Sequence, residues 1–386
     1  MLSVLELGLI ALVRSAMTGQ KASLPEGFSM AAVVPMAKKH QIAPILLQAL
    51  SHFDSPEFAA YKLKLMQSSA LSLTISETQM AEAKALCEAF SEAGIDHAPL
   101  KGVLIKQYYP VESMRSMADI DILIRKNQYH KIEPIMKQLG YTFEVESDHE
   151  YNWRKGHVHA ELHKCLVPSY NKDYYSYYKE GWQLFHPTER SCYAMRDEDL
   201  FIYLFTHYTK HFRDGGIGIK HLTDLWVFRR AKPKLDEAYI LQELKKLRLD
   251  EFYGNVMQTA AFWFDDGPQS EMAERMTREI ISCGAYGKAD AQRKAEALRN
   301  APQDSKHSKL RWTLKKIFLP YKNMCQKYPF LRYLPFLLPI MWVVRWVTAV
   351  FFKPKKLKKD IEQAKNMSQA SVDEYRRYLE SMGLRF

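Results

Sequence analysis

The stretch "MRSMADIDILIRK", Met114 to Lys126, decides how this chain is read. Isoleucine and leucine fit strands and aspartate is depleted there, yet Asp119 and Asp121 break the apolar run "DIDILI" twice, one residue apart. Breaks of local propensity concentrate where function overrides folding preference. Strand side chains alternate between faces, so both aspartates fall on one face while Ile120 and Ile122 enter the core on the other. Held roughly 6–7 Å apart along a strand, the two carboxylates repel unless a cation lies between them. Hard oxygen donors of this kind suit Mg2+.

A partner is needed for a two-carboxylate edge, and "HVHAELH", residues 157–163, supplies one. It alternates as a strand, placing Glu161 between Ala160 and Leu162, so a third carboxylate can come alongside if the two strands are neighbours. His157, His159 and His163 share its face, either flanking a metal site or simply exposed. Three carboxylates can hold two metal ions, one activating an attacking oxygen and the other clamping a triphosphate.

Upstream, "PLKG", Pro99 to Gly102, reads as a strand end, a glycine turn and a helix start. Such a turn lets backbone N–H groups approach phosphate at a helix N-terminus. Lys101 adds a point charge there, and Arg115 is placed in sequence to meet another phosphate oxygen. Further on, "GGIGIKHLTDL" is no dinucleotide fingerprint, because it follows a helix and lacks the third glycine. It reads as a helix-breaking loop. His207 and His211, four apart on a helix, share a face but have no third ligand in sequence, so packing is the plainer reading.

Around these motifs the texture changes in blocks. Residues 1–94 carry helical periodicity, 95–195 interleave short strands and helices, 196–300 return to helix, and 301–386 are basic with a Pro-rich apolar segment. "YTFEV" reads as a strand followed by a polar turn before "HVHAELH". The Tyr-rich "YNKDYYSYYKEGW" either stacks on a base or packs between elements.

A 47% apolar composition over 386 residues fills real cores and excludes disorder. Lys plus Arg (55) over Asp plus Glu (44) gives +11, which favours phosphates, nucleic acid or an anionic membrane. The five cysteines form no CxxC pair, which suggests neither a disulfide framework nor a cysteine zinc site and fits a reducing cytoplasm. Glu6 interrupts the apolar N-terminus, which reads as an amphipathic helix. "YPFLRYLPFLLPIMWVVRWVTAVFF", Tyr328 to Phe352, precedes the cluster "KPKKLKK". Its prolines and Arg332 and Arg345 make a simple span costly, leaving peripheral membrane contact through 328–359 or burial against the protein.

The order "LKG", then Arg-x-x-x-Asp-x-Asp in a strand, then an apolar-flanked glutamate on a later strand resembles the polymerase-beta type of the nucleotidyltransferase superfamily. Within it, "HYTKHFRDGGIGIKHLTDL", His207 to Leu225, is similar to a segment of a large group of uncharacterised bacterial nucleotidyltransferases. The resemblance implies an α+β fold: a small mixed β-sheet nucleotidyltransferase core with helices packed on it, flanked by N-terminal and C-terminal helical regions. It implies that Asp119, Asp121 and Glu161 are the metal-binding and catalytic triad, with Glu161 deprotonating the acceptor, and that two Mg2+ ions and an NTP such as ATP take part. Gly102 corresponds to the nucleotide-loop glycine, joined by Lys101 and Arg115. Lys220, His221 and Asp224 are secondary candidates for triphosphate or acceptor contact, with helix capping and local ion pairing as the alternative.

One departure stands out. The superfamily loop reads Gly-Ser or Gly-Gly, whereas here Lys101 precedes and Val103 follows Gly102. A similar Lys-Gly opening occurs in nucleotidyltransferase-like toxins of abortive-infection systems. The expected function is in-line transfer of a nucleoside monophosphate to an acceptor of unknown kind, small molecule, protein or RNA. The alternatives are a catalytically weak nucleotide-binding module in a membrane-associated or surface-polysaccharide pathway, and a toxin-like transferase acting on tRNA. The expected location is the cytoplasm, with peripheral contact at the inner membrane surface.

Overall fold

The computed structural model describes residues 1–285, 287–299, 314, 317–352, 354, 358 and 368–385. These form two compact units, Met1–Lys288 and Ala289–Phe386.

The first unit opens with α1 (Val4–Thr18), α2 (Met30–His40), α3 (Ala43–Leu50) and the 37-residue α4 (Pro56–Glu92). A capping box starts α1: Ser3 accepts from the Glu6 backbone while the Glu6 carboxylate reaches back to Ser3. Then come β1 (His97–Pro99), α5 (Gly102–Ile105), β2 (Ile120–Ile124), α6 (Tyr129–Gln138), β3 (Thr142–Glu146), β4 (Glu150–Lys155) and β5 (Val158–His163). The sheet order is β1-β2-β5-β4-β3, with β2 and β5 parallel and the other neighbours antiparallel. Mixed α+β architecture around a small sheet is what the sequence implied. Strand β4 was not: "EYNWRK" occupies the stretch read as a polar turn. Its polar residues hid a clean alternation.

That alternation divides the sheet. Ile120, Ile122 and Ile124 of β2, Val158, Ala160 and Leu162 of β5, and Tyr151 and Trp153 of β4 form one core with Leu86 and Phe90 of α4 and Ile132 and Met136 of α6. The opposite face therefore carries Asp121, Glu161, His159, His163, Glu150 and Asn152.

After β5 come α7 (Lys172–Tyr178), the hairpin β6 (Phe185–Pro187) and β7 (Tyr193–Met195), then α8 (Asp197–Arg213), α9 (Ile219–Ala231), α10 (Glu237–Lys246), α11 (Asp250–Phe264) and α12 (Glu271–Cys283). Of the tyrosine-rich stretch, Tyr174 and Tyr178 are fully buried, with the Tyr178 hydroxyl 2.9 Å from Thr206 Oγ1 of α8. These two rings pack between helices. The α8–α9 loop owes its glycines to close approach. Gly216 has φ +99°, and a Cβ there would lie 2.0 Å from Cys283 Sγ of α12.

In the second unit, Ala297 and Leu298 pack with Val372, and Met324, Cys325 and Leu331 form a small cluster. Among the described residues the helix Leu338–Phe352 has none that is fully buried, although Leu338, Met341 and Trp342 pack against the Met324, Cys325 and Leu331 cluster. Most of the lysine cluster 353–359 lies outside the described residues.

Candidate active site

The polar face is built by register. Asp121 of β2 lies directly beside Glu161 of β5, which in turn faces Asn152 of β4; one row further, Leu123, His163 and Glu150 align. Asp119 precedes β2 by one residue and is half-buried. Two carboxylates from strands 40 residues apart in sequence are thus neighbours on one surface.

Asp121 is 3% exposed and engaged through Oδ1. Lys101 Nζ donates to its Oδ1 at 2.5 Å and His163 Nε2 at 2.7 Å. Burial works against ionisation, but the Lys101 ammonium and the His163 hydrogen bond prevail and hold the Asp121 carboxyl well below the usual range. The backbone cooperates, because Leu100 N–H donates to the Asp121 carbonyl at 2.9 Å and so delivers Lys101 to the carboxylate. Lys101 has φ 46° and ψ −113°, a conformation that suits glycine and costs a residue with a Cβ on the order of 1–3 kcal/mol.

Glu161 behaves oppositely. Burial first, then the carboxylates of Asp121 and Asp119, push its carboxyl up to about 8. Burial and then Asp121 also raise Asp119, with Lys101 and Lys220 opposing. Three acids in one place, two of them reluctant to ionise, describe a pocket short of positive charge. One ligand atom from each of Asp121, Glu161 and His163 lies within 4.8 Å of the other two. These residues fit a divalent cation. Asp119 is outside that convergent group but acts on it electrostatically.

The sequence matches the model of the family described as uncharacterised nucleotidyltransferase over residues 26–265. The chain belongs to that family. No curated protein matches it. Among solved structures it is similar to the solution structure of the antibiotic-resistance factor ANT(2'')-Ia, at 12% identity and a TM-score of 0.34, covering 47% of this chain and 96% of that one.

In this nucleotidyltransferase-family chain Arg115 and Asp224 are committed to each other. Arg115 Nε and Nη2 each donate to Asp224 at 2.8 Å, and the Tyr109 hydroxyl donates to Asp224 Oδ1 at 2.7 Å. Arg115 and Asp224 are 7% and 6% exposed, so the pair is a buried clamp between the segment preceding β2 and α9. Gly102 is shaped by it, since a Cβ there would lie 2.9 Å from Arg115 Nη1. Tyr109 had no sequence signal; only the fold brings it to Asp224.

Helices α8 and α9 approach the same face. Lys220 and His221 are half-buried on α9, and burial followed by the Arg115 charge lowers Lys220. Burial, with Lys220 next, drives His221 down to about 3. The His207 and His211 rings lie 4.4 Å apart, and His221 stands 6.1 and 6.0 Å from them, centre to centre, a packed ring cluster that is not among the groups of described residues whose ligand atoms converge. Lys210 is lowered to about 8 by burial and then by Lys101. The nucleotidyltransferase surface thus pairs an acidic sheet face with a helix face of lysines and neutral histidines. Of the sheet's histidines, His163 is buried in the site and His157 is exposed. His159 lies 3.8 Å from Glu161 Oε1.

Proposed function

We propose that the chain transfers a nucleoside monophosphate from an NTP to an acceptor hydroxyl or phosphate at the face carrying Asp119, Asp121 and Glu161. The observation that supports this most is the side-by-side register of Asp121 and Glu161, with Asp119 at the strand's start. These three carboxylates would hold Mg2+, two ions by the superfamily pattern, which when bound activates the acceptor oxygen and neutralises the triphosphate.

The chain's own residues divide the remaining work. Glu161 is the residue that would accept the acceptor proton: burial and the neighbouring carboxylates keep it protonated in the empty site, and a cation held there would release that proton and leave the carboxylate free to act as base. The acceptor oxygen forms its bond to the α-phosphorus as the bond to the pyrophosphate oxygen breaks in line. Lys101 and Lys220 bring ammonium groups to the developing charge. His163 orients Asp121, while Arg115, Asp224 and Gly102 fix the turn that presents Lys101.

Incubation with labelled NTPs, Mg2+ and a cell extract tests this. Wild type should label a product and D119A and D121N should not, with circular dichroism unchanged; a wild type that neither binds nucleotide nor labels anything removes the proposal. A labelled RNA band would identify tRNA-like acceptors, and a labelled small molecule or protein the others.

A second element of the proposal is membrane contact from the cytoplasmic side. The segment Pro335–Phe352 has a mean hydropathy of 1.7 over 18 residues and is 0% buried. Exposed apolar surface of that extent supports attachment to a lipid surface.

A further inference from the structure

A second cluster borders the acidic face and shares only His163 with it, through the opposite ring nitrogen. We infer that His149, Glu150 and His163 form a binding site for a zinc-class divalent ion, separate from the carboxylate pocket. One ligand atom from each lies within 4.8 Å of the others.

The argument turns on the His163 tautomer. Its Nε2 is 2.7 Å from Asp121 Oδ1, an ionised carboxylate oxygen that only accepts, so Nε2 carries the proton and donates. Nδ1 then holds a lone pair. That nitrogen is buried, has no hydrogen-bond partner, and lies 3.8 Å from Glu150 Oε2. His163 itself is 2% exposed. Two acceptors facing each other in a buried place repel, and a cation between them reverses the sign of that contact.

The third donor completes the set. His149 Nε2 lies 2.8 Å from the same Glu150 oxygen, so in the empty site it donates to that carboxylate and an incoming ion would displace its proton; the two imidazoles are 5.9 Å apart, centre to centre. Two imidazoles and one carboxylate are a set that zinc takes while keeping a fourth position open. Tetrahedral bonds of about 2.0–2.1 Å put ligand atoms roughly 3.3 Å apart, and the 2.8 and 3.8 Å separations bracket that spacing.

Each donor is also oriented from behind, as metal ligands are. Asp121 holds His163, Ser147 Oγ lies 3.3 Å from His149 Nδ1, and Asn152 Nδ2 donates to Glu150 Oε1 at 3.3 Å, leaving Oε2 for the site. Lys164 is held by Glu146 at 3.0 Å and the Ser147 carbonyl at 2.7 Å, and the Lys101 ammonium, 3.5 Å from His163 Nε2, lies on the Asp121 side of that ring. Strand pairing fixes the geometry, because Glu150 and His163 are direct cross-strand partners.

Titration of the chelator-stripped full chain with Zn2+ against a chromophoric competitor, and with Co2+ by visible absorption, tests the site. Wild type should bind one tight equivalent and give tetrahedral Co2+ bands. H149A and E150Q should each weaken Zn2+ binding ~10-fold or more, with the circular dichroism spectrum unchanged, and E161Q should bind as wild type does. A wild type that binds no Zn2+ overturns the inference. So does H149A binding as tightly as wild type, or loss of binding in E161Q alone.

Discussion

Asp121 and Glu161 stand side by side in parallel register, yet the first is held ionised by Lys101 and the second is pushed to about 8 by burial and its neighbours' charge. Stability without metal should therefore depend on pH. Folded Glu161 keeps a proton that the unfolded chain, with its ordinary value of 4.5, releases. Where the folded state binds the extra proton, stability falls as pH rises, at up to ~1.4 kcal/mol per pH unit. The contribution is complete below the ordinary value and is lost as pH climbs through about 8. In chelator, the wild-type melting temperature should drop by several degrees between pH 6 and 8.5, and E161Q should flatten that slope; an unchanged slope in E161Q would place the titration elsewhere.

Lys101 carries two separable features, its ammonium and its backbone. Removing the charge strands a buried carboxylate, at a cost of about 3–5 kcal/mol. The φ of 46° is a separate burden that glycine lifts. K101A and K101G should both lose transferase activity, with K101G the more stable by ~1 kcal/mol. Urea unfolding of the two proteins side by side checks this, and equal stabilities would refute the strain.

The Arg115–Asp224 clamp predicts a non-additive cycle. Either single change, R115M or D224L, leaves an uncompensated buried charge and should destabilise by about 3–5 kcal/mol. The double variant removes both charges and should cost less than the sum by more than ~1 kcal/mol. G102A should cost less than R115M, because the added methyl would meet Arg115 Nη1 at 2.9 Å while Nε and Nη2 hold Asp224. Additive values in the cycle would mean the pair is not coupled.

How far these relationships could be read in sequence depends on their range. Period-two alternation alone placed Asp121 opposite Ile120 and Ile122, and Glu161 opposite Ala160 and Leu162. Strands and helices interleaved after residue 95 point to a small sheet with helices on it, and the family resemblance implies the α+β class. What alternation lacks is pairing: that β5 lies parallel to β2 is a long-range choice with no local signature. Strand β4 escaped because Glu150, Asn152 and Arg154 on its polar face dilute the apolar signal of Tyr151 and Trp153. His149 and Glu150 went unseen with it. Arg115 was expected at a phosphate from its position alone, and only the three-dimensional neighbourhood shows Asp224 and Tyr109 taking its donors and its partner's oxygens. Backbone strain at Lys101 has no residue-type signal, since lysine is not the residue that such a φ favours.

The helix Leu338–Phe352 carries the last prediction. Val343, Val347 and Val350 are 51%, 49% and 51% exposed, and Phe351 and Phe352 are 74% and 79% exposed. An apolar face of this kind binds a lipid surface in proportion to the area it buries, and nearby basic residues add attraction to anionic headgroups. Full-length protein should float with anionic liposomes in a density gradient. V343D combined with V347D places two charges on that face, each opposing insertion by up to ~2.5–3.5 kcal/mol at full depth, so the variant should stay at the bottom. High salt should weaken a bond made by lysines and leave one made by the valines and phenylalanines. Wild-type protein that fails to float, or a double variant that floats as well as wild type, would remove this helix as the attachment element.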